Sequence, residues 1–398
     1  MQATRRALYV STWLNDTALI LLMFVLSRYL AETSAGLLNM GIFGGSAAAA
    51  WAVTAVITGA LSDRIGRKCL LMVAVFLSMA SAVGCAVWLE NRAALLAAYA
   101  LSGVAGAMYY APLIAWLGEG ESGIAAGRRR ATRTLMFFCF AWNLGIITGQ
   151  IFGGYTFQID PRLPLYLAMA LPLANLVLIW RMDGRPVVAG STGGCEWTDD
   201  AERRLSAHFA RISWVGNLGA PFCVGILFYL LPDLMVFMGV PAEEHGLLLA
   251  LMRVLMLAAY MLMHVSSFWH HRIGVLLVMR ALGVVGMLVI GAASTRGVLF
   301  AGMCAVGVMM GFNYFATLYY STAGSREGRR GRASGMLEGS IALGMAMGTF
   351  GGGLAGCFHP RAPYLLAAVV VALLVVVEMT MYRRLVTRES GTGGRVSS

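Results

Sequence analysis

The chain has 398 residues, 59% hydrophobic and only 12% charged, where a soluble domain carries about 25% charged residues. Its net charge of +11 is spread over alternate loops between apolar runs, so it does not mark a nucleic-acid surface. Composition therefore excludes a solvated globular domain and makes the lipid bilayer the expected partner.

Twelve apolar segments are long enough to cross a bilayer. They run roughly over 7–29, 36–60, 69–89, 93–117, 134–157, 164–181, 213–232, 246–269, 273–293, 298–320, 334–356 and 361–382. Each is expected to be helical, because hydrocarbon cannot satisfy an open strand edge. Met1 to Arg6 is short and basic and does not resemble a cleavable signal. The longest connection, 182–212, begins as a Gly/Pro-rich linker. Its second half, Asp199 to Trp214, reads as an amphipathic helix, with Leu205, Phe209 and Ile212 on one face. A helix lying on the membrane surface and a plain linker helix fit that pattern equally. The expected domains are a first bundle over 1–182, this linker over 183–212, and a second bundle with a short tail over 213–398.

Lys and Arg set the orientation. With the N-terminus inside, 23 of them fall on inner segments, whereas Arg28, Arg92, Arg162, Arg296 and Arg361 alone fall outside. Both termini are therefore expected in the cytoplasm, in the plasma (inner) membrane. The seven cysteines include no Cys-x-x-Cys pair, which argues against a disulfide framework or a metal site.

The two halves repeat. Gly145-x3-Gly149-x3-Gly153-Gly154 matches Gly344-x3-Gly348-x3-Gly352-Gly353 at an offset of 199. Gly106-Ala-Met-Tyr-Tyr-Ala matches Gly311-Phe-Asn-Tyr-Phe-Ala at an offset of 205. Two six-span halves place a substrate site at the midplane between them.

The most specific segment is Gly59-Ala-Leu-Ser-Asp-Arg-Ile-Gly-Arg-Lys68, between spans two and three. It resembles the signature loop of the major facilitator superfamily, Gly-x-Leu-small-Asp-Arg-x-Gly-Arg-basic, at every position. The resemblance implies twelve transmembrane helices in two pseudo-symmetric bundles, alternating access, and a loop that latches the halves when the inner gate is closed. Read from its residues, Gly59 lets another helix approach, Asp63 meets the positive end of span eleven, and Gly66 permits the tight turn. Arg64, Arg67 and Lys68 hold Asp63 or reach lipid headgroups. The second half keeps only Arg272-Ile-Gly274, with His270 or His271 where the acid would stand.

Asp16, mid-way along span one, is the first candidate for proton coupling or substrate binding, since a carboxyl at that depth needs a wet cavity or a partner. Glu338, read as one turn into span eleven, is its candidate counterpart, although a first-turn acid is also favoured by the helix dipole, or by pairing with Arg332, Arg330 or Arg64. Arg253 is a candidate for an anionic substrate or for answering Asp16; the alternative is that it snorkels outward beside Glu243 and Glu244. Arg280 and Glu378, at similar depth, are expected to form a structural ion pair. Asn15, Tyr109, Tyr110, Trp142, Asn143, Asn217, Tyr260, Asn313 and Tyr314, together with Gln150, are candidates to line a cavity for a polar organic molecule; each is also a candidate helix contact.

The drug exporters of the family carry Gly-Pro where this chain has Gly149-Gln150, and an Arg in span four where Tyr99 stands nearest. Both departures weaken a drug or metabolite efflux reading without excluding export. No phosphate loop is possible around Lys68, the only lysine, and no hydrolase or metalloenzyme motif occurs. The resulting expectation is a secondary transporter of a small organic solute, proton-coupled, monomeric and without cofactor. A membrane enzyme or a transport-incompetent sensor on the same fold are the other classes weighed.

Overall fold

A computed structural model describes residues 2–117, 126–182, 200–324 and 330–393. Within these stretches it leaves out the side chains of 2–3, 59–60, 63–64, 115, 126–135, 200–204, 322–324, 330–337 and 386–393. The first half consists of α1 (Gln2–Glu32), α2 (Leu37–Ile65), α3 (Arg67–Val87), α4 (Arg92–Leu117), α5 (Ala126–Ile159) and α6 (Leu163–Arg181). The second consists of α7 (Asp200–Asn217), α8 (Gly219–Tyr229), α9 (Leu231–Phe237), α10 (Ala242–Val265), α11 (Ile273–Ala292), α12 (Arg296–Gly324), α13 (Arg330–Gly356) and α14 (Ala362–Gly393).

Among the described residues, eleven helices are long and apolar enough to cross a bilayer. The glycine-rich α13 is outside that set, and it lies between the halves, packed on α2, α8 and α14. The outward surface is a coat of exposed apolar side chains, among them Val53, Phe76, Leu144, Leu173, Val278 and Leu373. Such a coat suits lipid, because in hydrocarbon each helix satisfies its own backbone and needs no polar cover.

Three expectations change. The seventh span is three helices, broken at Leu218 and Leu230. Pro221 and Pro232 have no N–H to give to the carbonyls of Asn217 and Phe228, so the ladder is interrupted one turn before each proline. The predicted surface helix is the start of α7. Its Phe209 and Ile212 are buried, and α7 packs on α12 and α14 as part of the second bundle. The apolar face that suggested a membrane surface faces protein, so the second bundle begins near Asp200. Finally, α13 begins at Arg330, which makes Glu338 its ninth residue and removes first-turn stabilisation as the reason for the acid.

The glycine repeat explains how each half is assembled. A Cβ at Gly145, Gly149 or Gly153 of α5 would strike Asp16, Ile20 or Phe24 of α1. In the second half, Gly344, Gly348 and Gly352 of α13 meet Leu218, Phe222 and Leu230, along the α7–α8–α9 segment. The fourth glycine of each stripe turns to the other half: Gly154 lies on Ala242 of α10, and Gly353 on Gly41 of α2. The 103–106 and 307–311 stripes do the same within halves, with Gly103 on Ala47 of α2 and Gly307 on Met252 of α10. Small residues bring the backbones close enough for dispersion to hold helices that gain nothing from leaving lipid.

The halves meet chiefly through α2 with α13 and α5 with α10. The close approaches gather at the end of the bundle away from the N-terminus, here called distal. There Gly246 fits against the Gln150 carbonyl, Arg28 of α1 donates to the Val240 carbonyl at 2.9 Å, and the Ala242 N–H donates to Gln158 at 3.3 Å. The distal end is closed.

Candidate functional site

Below that closure, between the halves, lies a cavity of about 150 Å³. Asp16 and Met23 of α1, Trp51 of α2, Tyr99 and Tyr110 of α4, Trp142 of α5, Phe228 and Tyr229 of α8, Arg253 of α10, Tyr314 of α12 and Glu338 of α13 are among its lining residues. Every one of these helices crosses the middle of the bundle, so the side chains arrive from both halves.

Asp16 is 3% exposed. One carboxylate oxygen accepts a hydrogen bond from the Tyr110 hydroxyl; the other is buried with no hydrogen-bond partner among the described residues. Gly145 makes this placement possible, because a side chain there would overlap the Asp16 Cβ. The Tyr110 ring stacks on Trp51, with centroids 5.4 Å apart and planes at 17°. Gly106 leaves the room that the indole occupies. The Trp51 Nε1 is buried and has no acceptor.

Arg253 is 3% exposed, so it does not snorkel to the surface. Its guanidinium lies 5.0 Å from the Phe228 ring and 6.0 Å from the Trp142 ring, within cation–π range. Its Nη1 donates to the Met256 thioether at 3.1 Å, and its Nε has no acceptor. Glu338, buried at 7% exposure, completes the set of charges. None of the ion pairs between described residues includes Asp16, Glu338 or Arg253. The side chains of Arg64, Arg330 and Arg332, the other partners expected for Glu338, lie outside the described residues.

The structure thus brings together Asp16, Glu338, Tyr110, Trp142, Arg253 and Tyr314 from the sequence candidates. The other six are not in the cavity wall. Tyr109 exchanges a 2.7 Å hydrogen bond with Ser11, Asn143 and Asn313 donate within their own helices to Cys139 and Met309, and Tyr260 packs on Phe315. Asn15 and Asn217 are buried elsewhere in the helix contacts. Gln150 is also buried outside the wall, at the distal seam.

The polar and aromatic wall residues not anticipated are Trp51, Ser102, Phe138, Phe228 and Tyr229. Trp51 carried a signal, since it is a lone large ring after the run Ala47 to Ala50 and faces the glycines of α4. Tyr99, noted only as a departure from a family arginine, has its hydroxyl 2.6 Å from that of Tyr229, joining α4 to α8 across the halves.

The repeat does not carry through to chemistry. At an offset of 199 the equivalent of Glu338 is Cys139, so Asp16 and Glu338 are not symmetry mates. Tyr109 and Tyr110 align with Tyr314 and Phe315, yet Tyr110 and Tyr314 reach the cavity while Tyr109 and Phe315 do not.

At the proximal end, Gly66 turns between α2 and α3 with φ of 95°, a left-handed geometry that glycine adopts without strain. Lys68 donates to the carbonyls of Trp180 and Met182, at 2.9 and 2.5 Å, so it caps the C-terminus of α6. The side chains of Gly59, Asp63 and Arg64 lie outside the described residues. In the second half, aromatic rings pack on the segment 266–272. The His271 N–H donates to the Tyr320 hydroxyl at 2.8 Å, and His270 stacks on Tyr319 at 4.5 Å. Arg280 and Glu378 form the expected ion pair, with N–O distances of 3.0 and 3.3 Å.

No curated protein sequence matches the chain. Solved structures share its fold over nearly its whole length. The human organic anion transporter MFSD10 (TETRAN) is 16% identical with a TM-score of 0.68, covering 95% of this chain and 99% of that one. The POT family transporter PepTSo is 10% identical with a TM-score of 0.74, covering 96% and 98%. The nucleoside transporter NupG is 13% identical with a TM-score of 0.68, covering 95% and 99%. At these identities the likeness shows the fold alone. The Major Facilitator Superfamily model matches residues 8–325, and the chain belongs to that family of membrane transporters.

Proposed function

We propose that this protein is a secondary transporter that moves a small organic solute by alternating access, with a proton carried on Asp16 and Glu338. The observation that carries the reading is the cavity between the halves, where Asp16, Glu338 and Arg253 lie buried and, among the described residues, form no ion pair. Burying a charge without a partner is costly, so such groups persist where a ligand or proton completes them. A proton neutralises a carboxyl without moving the backbone, and the change in cavity charge biases which end of the bundle opens.

The charge count places both termini inside, which makes the distal end the outer one. The closed seam formed by Gly41, Gly154, Gly246, Gly353 and the Tyr99–Tyr229 pair is then the outer gate. The loop from Gly59 to Lys68 serves the inner gate, with Asp63 and Arg64 as its latch and Gly66 and Lys68 as its fixed base. The halves rock about the α2–α13 and α5–α10 contacts, and one chain holds a complete site, so the working unit is a monomer in the plasma membrane. A sensor on this fold would need no conductive route past the cavity and would move no solute.

The test is uptake into proteoliposomes. Purified protein is first screened for solutes that raise its melting temperature. A stabilising solute should accumulate when the outside is made acidic, and Asp16→Asn should abolish that pH response. Unchanged pH response in Asp16→Asn would remove the coupling claim. Failure of any stabilising solute to cross would remove transport.

A further inference from the structure

We propose that the cavity takes a flat organic monoanion, its acidic group held by Arg253 and its ring by the aromatic faces beside it, in company with a proton on Asp16. This rests on the transport reading and narrows its substrate class.

The charges decide the sign. Arg253 is buried in the wall with an unpartnered Nε, and its named contacts are a thioether and two ring faces. These are weak acceptors, and a guanidinium matches a carboxylate or similar oxyanion through parallel N–H bonds. A cationic solute would enter against that guanidinium. A neutral one accepts its N–H bonds at most and leaves its charge unanswered.

Asp16 fits the same sign once its proton is counted. Asp16 faces Tyr110 and Tyr109 of α4, Arg253 of α10, Tyr314 of α12 and Glu338 of α13. Among these, Arg253 is the one cation. If the anion takes it, Asp16 loses that opposite charge and is stable as the neutral acid, whose O–H can satisfy an acceptor on the solute. Binding the anion therefore draws a proton in with it, and the pair enters as a neutral unit. No bond is broken, and the proton comes from bulk water.

The rings and the volume decide the shape. Trp142 and Tyr314 lie 5.0 Å apart at 41°, and Trp51 covers Tyr110 on the opposite wall. Leu19, Ile20, Phe138, Ile341 and Met345 supply the rest as apolar surface. A cavity of about 150 Å³ suits a ring with a short substituent.

The experiment uses the full chain in nanodiscs. Two matched sets are titrated by tryptophan fluorescence and thermal shift: benzoate, benzamide and benzylamine; and indole-3-acetate, indole-3-acetamide and tryptamine. In at least one set the acid should bind about tenfold or more tighter than its amide, the gain of a charge-assisted hydrogen bond. Arg253→Gln should erase that preference and Arg253→Lys should keep part of it. Trp142→Leu should weaken acid and amide alike. In the native protein acid binding should fall as pH rises, and in Asp16→Asn it should persist without that fall.

The assignment is wrong if the amine outbinds the acid, if neither acid outbinds its amide, or if Arg253→Gln leaves the preference intact. Its failure is separable from failure of the transport reading. Uptake of a neutral or cationic solute under a pH gradient would overturn the anion and leave transport standing. Acid binding that depends on Arg253, with no acid crossing the membrane, would keep the site and overturn transport.

Discussion

Arg280 of α11 and Glu378 of α14 close on each other through two hydrogen bonds, at 2% and 0% side-chain exposure. Gly216 of α7 is packed so tightly over them that a methyl group would overlap both. Asp16, Glu338 and Arg253 are the same residue types at comparable burial, yet they face a cavity and do not close. The first set lies within the second bundle, where nothing needs to move. The other draws on α1, α10 and α13, which belong to different halves. The contrast teaches that burial of charge alone does not mark function. Charges closed on each other within one half are architecture; charges that face a cavity between the halves await something that comes and goes.

Several substitutions break or sharpen this contrast. The largest effect is expected in the closed pair. Glu378→Gln leaves Arg280 buried and unanswered and should cost about 3–5 kcal/mol, read as a large drop in melting temperature. Replacing both partners, with Arg280→Met and Glu378→Leu, should recover most of it. Asp16→Asn should cost no melting temperature, because the native carboxyl has one oxygen with no partner to lose. Equal destabilisation by Asp16→Asn and Glu378→Gln would erase the distinction.

Next in size are the stripe glycines. Gly348→Ala drives a methyl into the Phe222 backbone and should cost about 1–3 kcal/mol of overpacking. Gly274→Ala, with nothing within 4 Å of the added carbon, is the control and should leave melting unchanged.

These stripes were legible in the sequence because close helix packing demands a small residue at every fourth position, and a four-residue spacing survives in one dimension. The signature loop was legible for a similar reason: a left-handed turn at Gly66 admits few residues. The cavity was only half legible. Asp16, Arg253 and Glu338 stood out because charges at that depth are costly. Phe138 and Phe228 did not, since an aromatic ring in an apolar span looks the same whether it faces lipid, a neighbour or a cavity. Tyr109 and Tyr110 show the limit most sharply. They are adjacent, and about 100° of helix rotation sends one to Ser11 and the other to Asp16. The α7–α9 breaks were hidden too, because an apolar segment interrupted by prolines keeps its hydropathy while losing its continuity.

The smallest effect concerns the distal closure. Tyr229→Phe removes the hydroxyl that meets Tyr99, a loss of about 1 kcal/mol from the closed form, or about fivefold in its ratio to the open form. Spin labels at Thr33→Cys and Phe237→Cys, both exposed at the distal end of different halves, would report it. Cys69, Cys195 and Cys357 are replaced by serine in that background. The distance distribution should gain a longer component; an unchanged distribution would mean that the pair does not hold the gate.

The most direct test separates movement of solute from its coupling to protons. Proteoliposomes of native protein and of Asp16→Asn, loaded with the stabilising solute, are assayed for tracer counterflow without a pH gradient and for net accumulation with one. The expected result is counterflow in both and accumulation in the native protein alone. Accumulation by Asp16→Asn at the native level would contradict the claim that this unpaired carboxyl carries the proton.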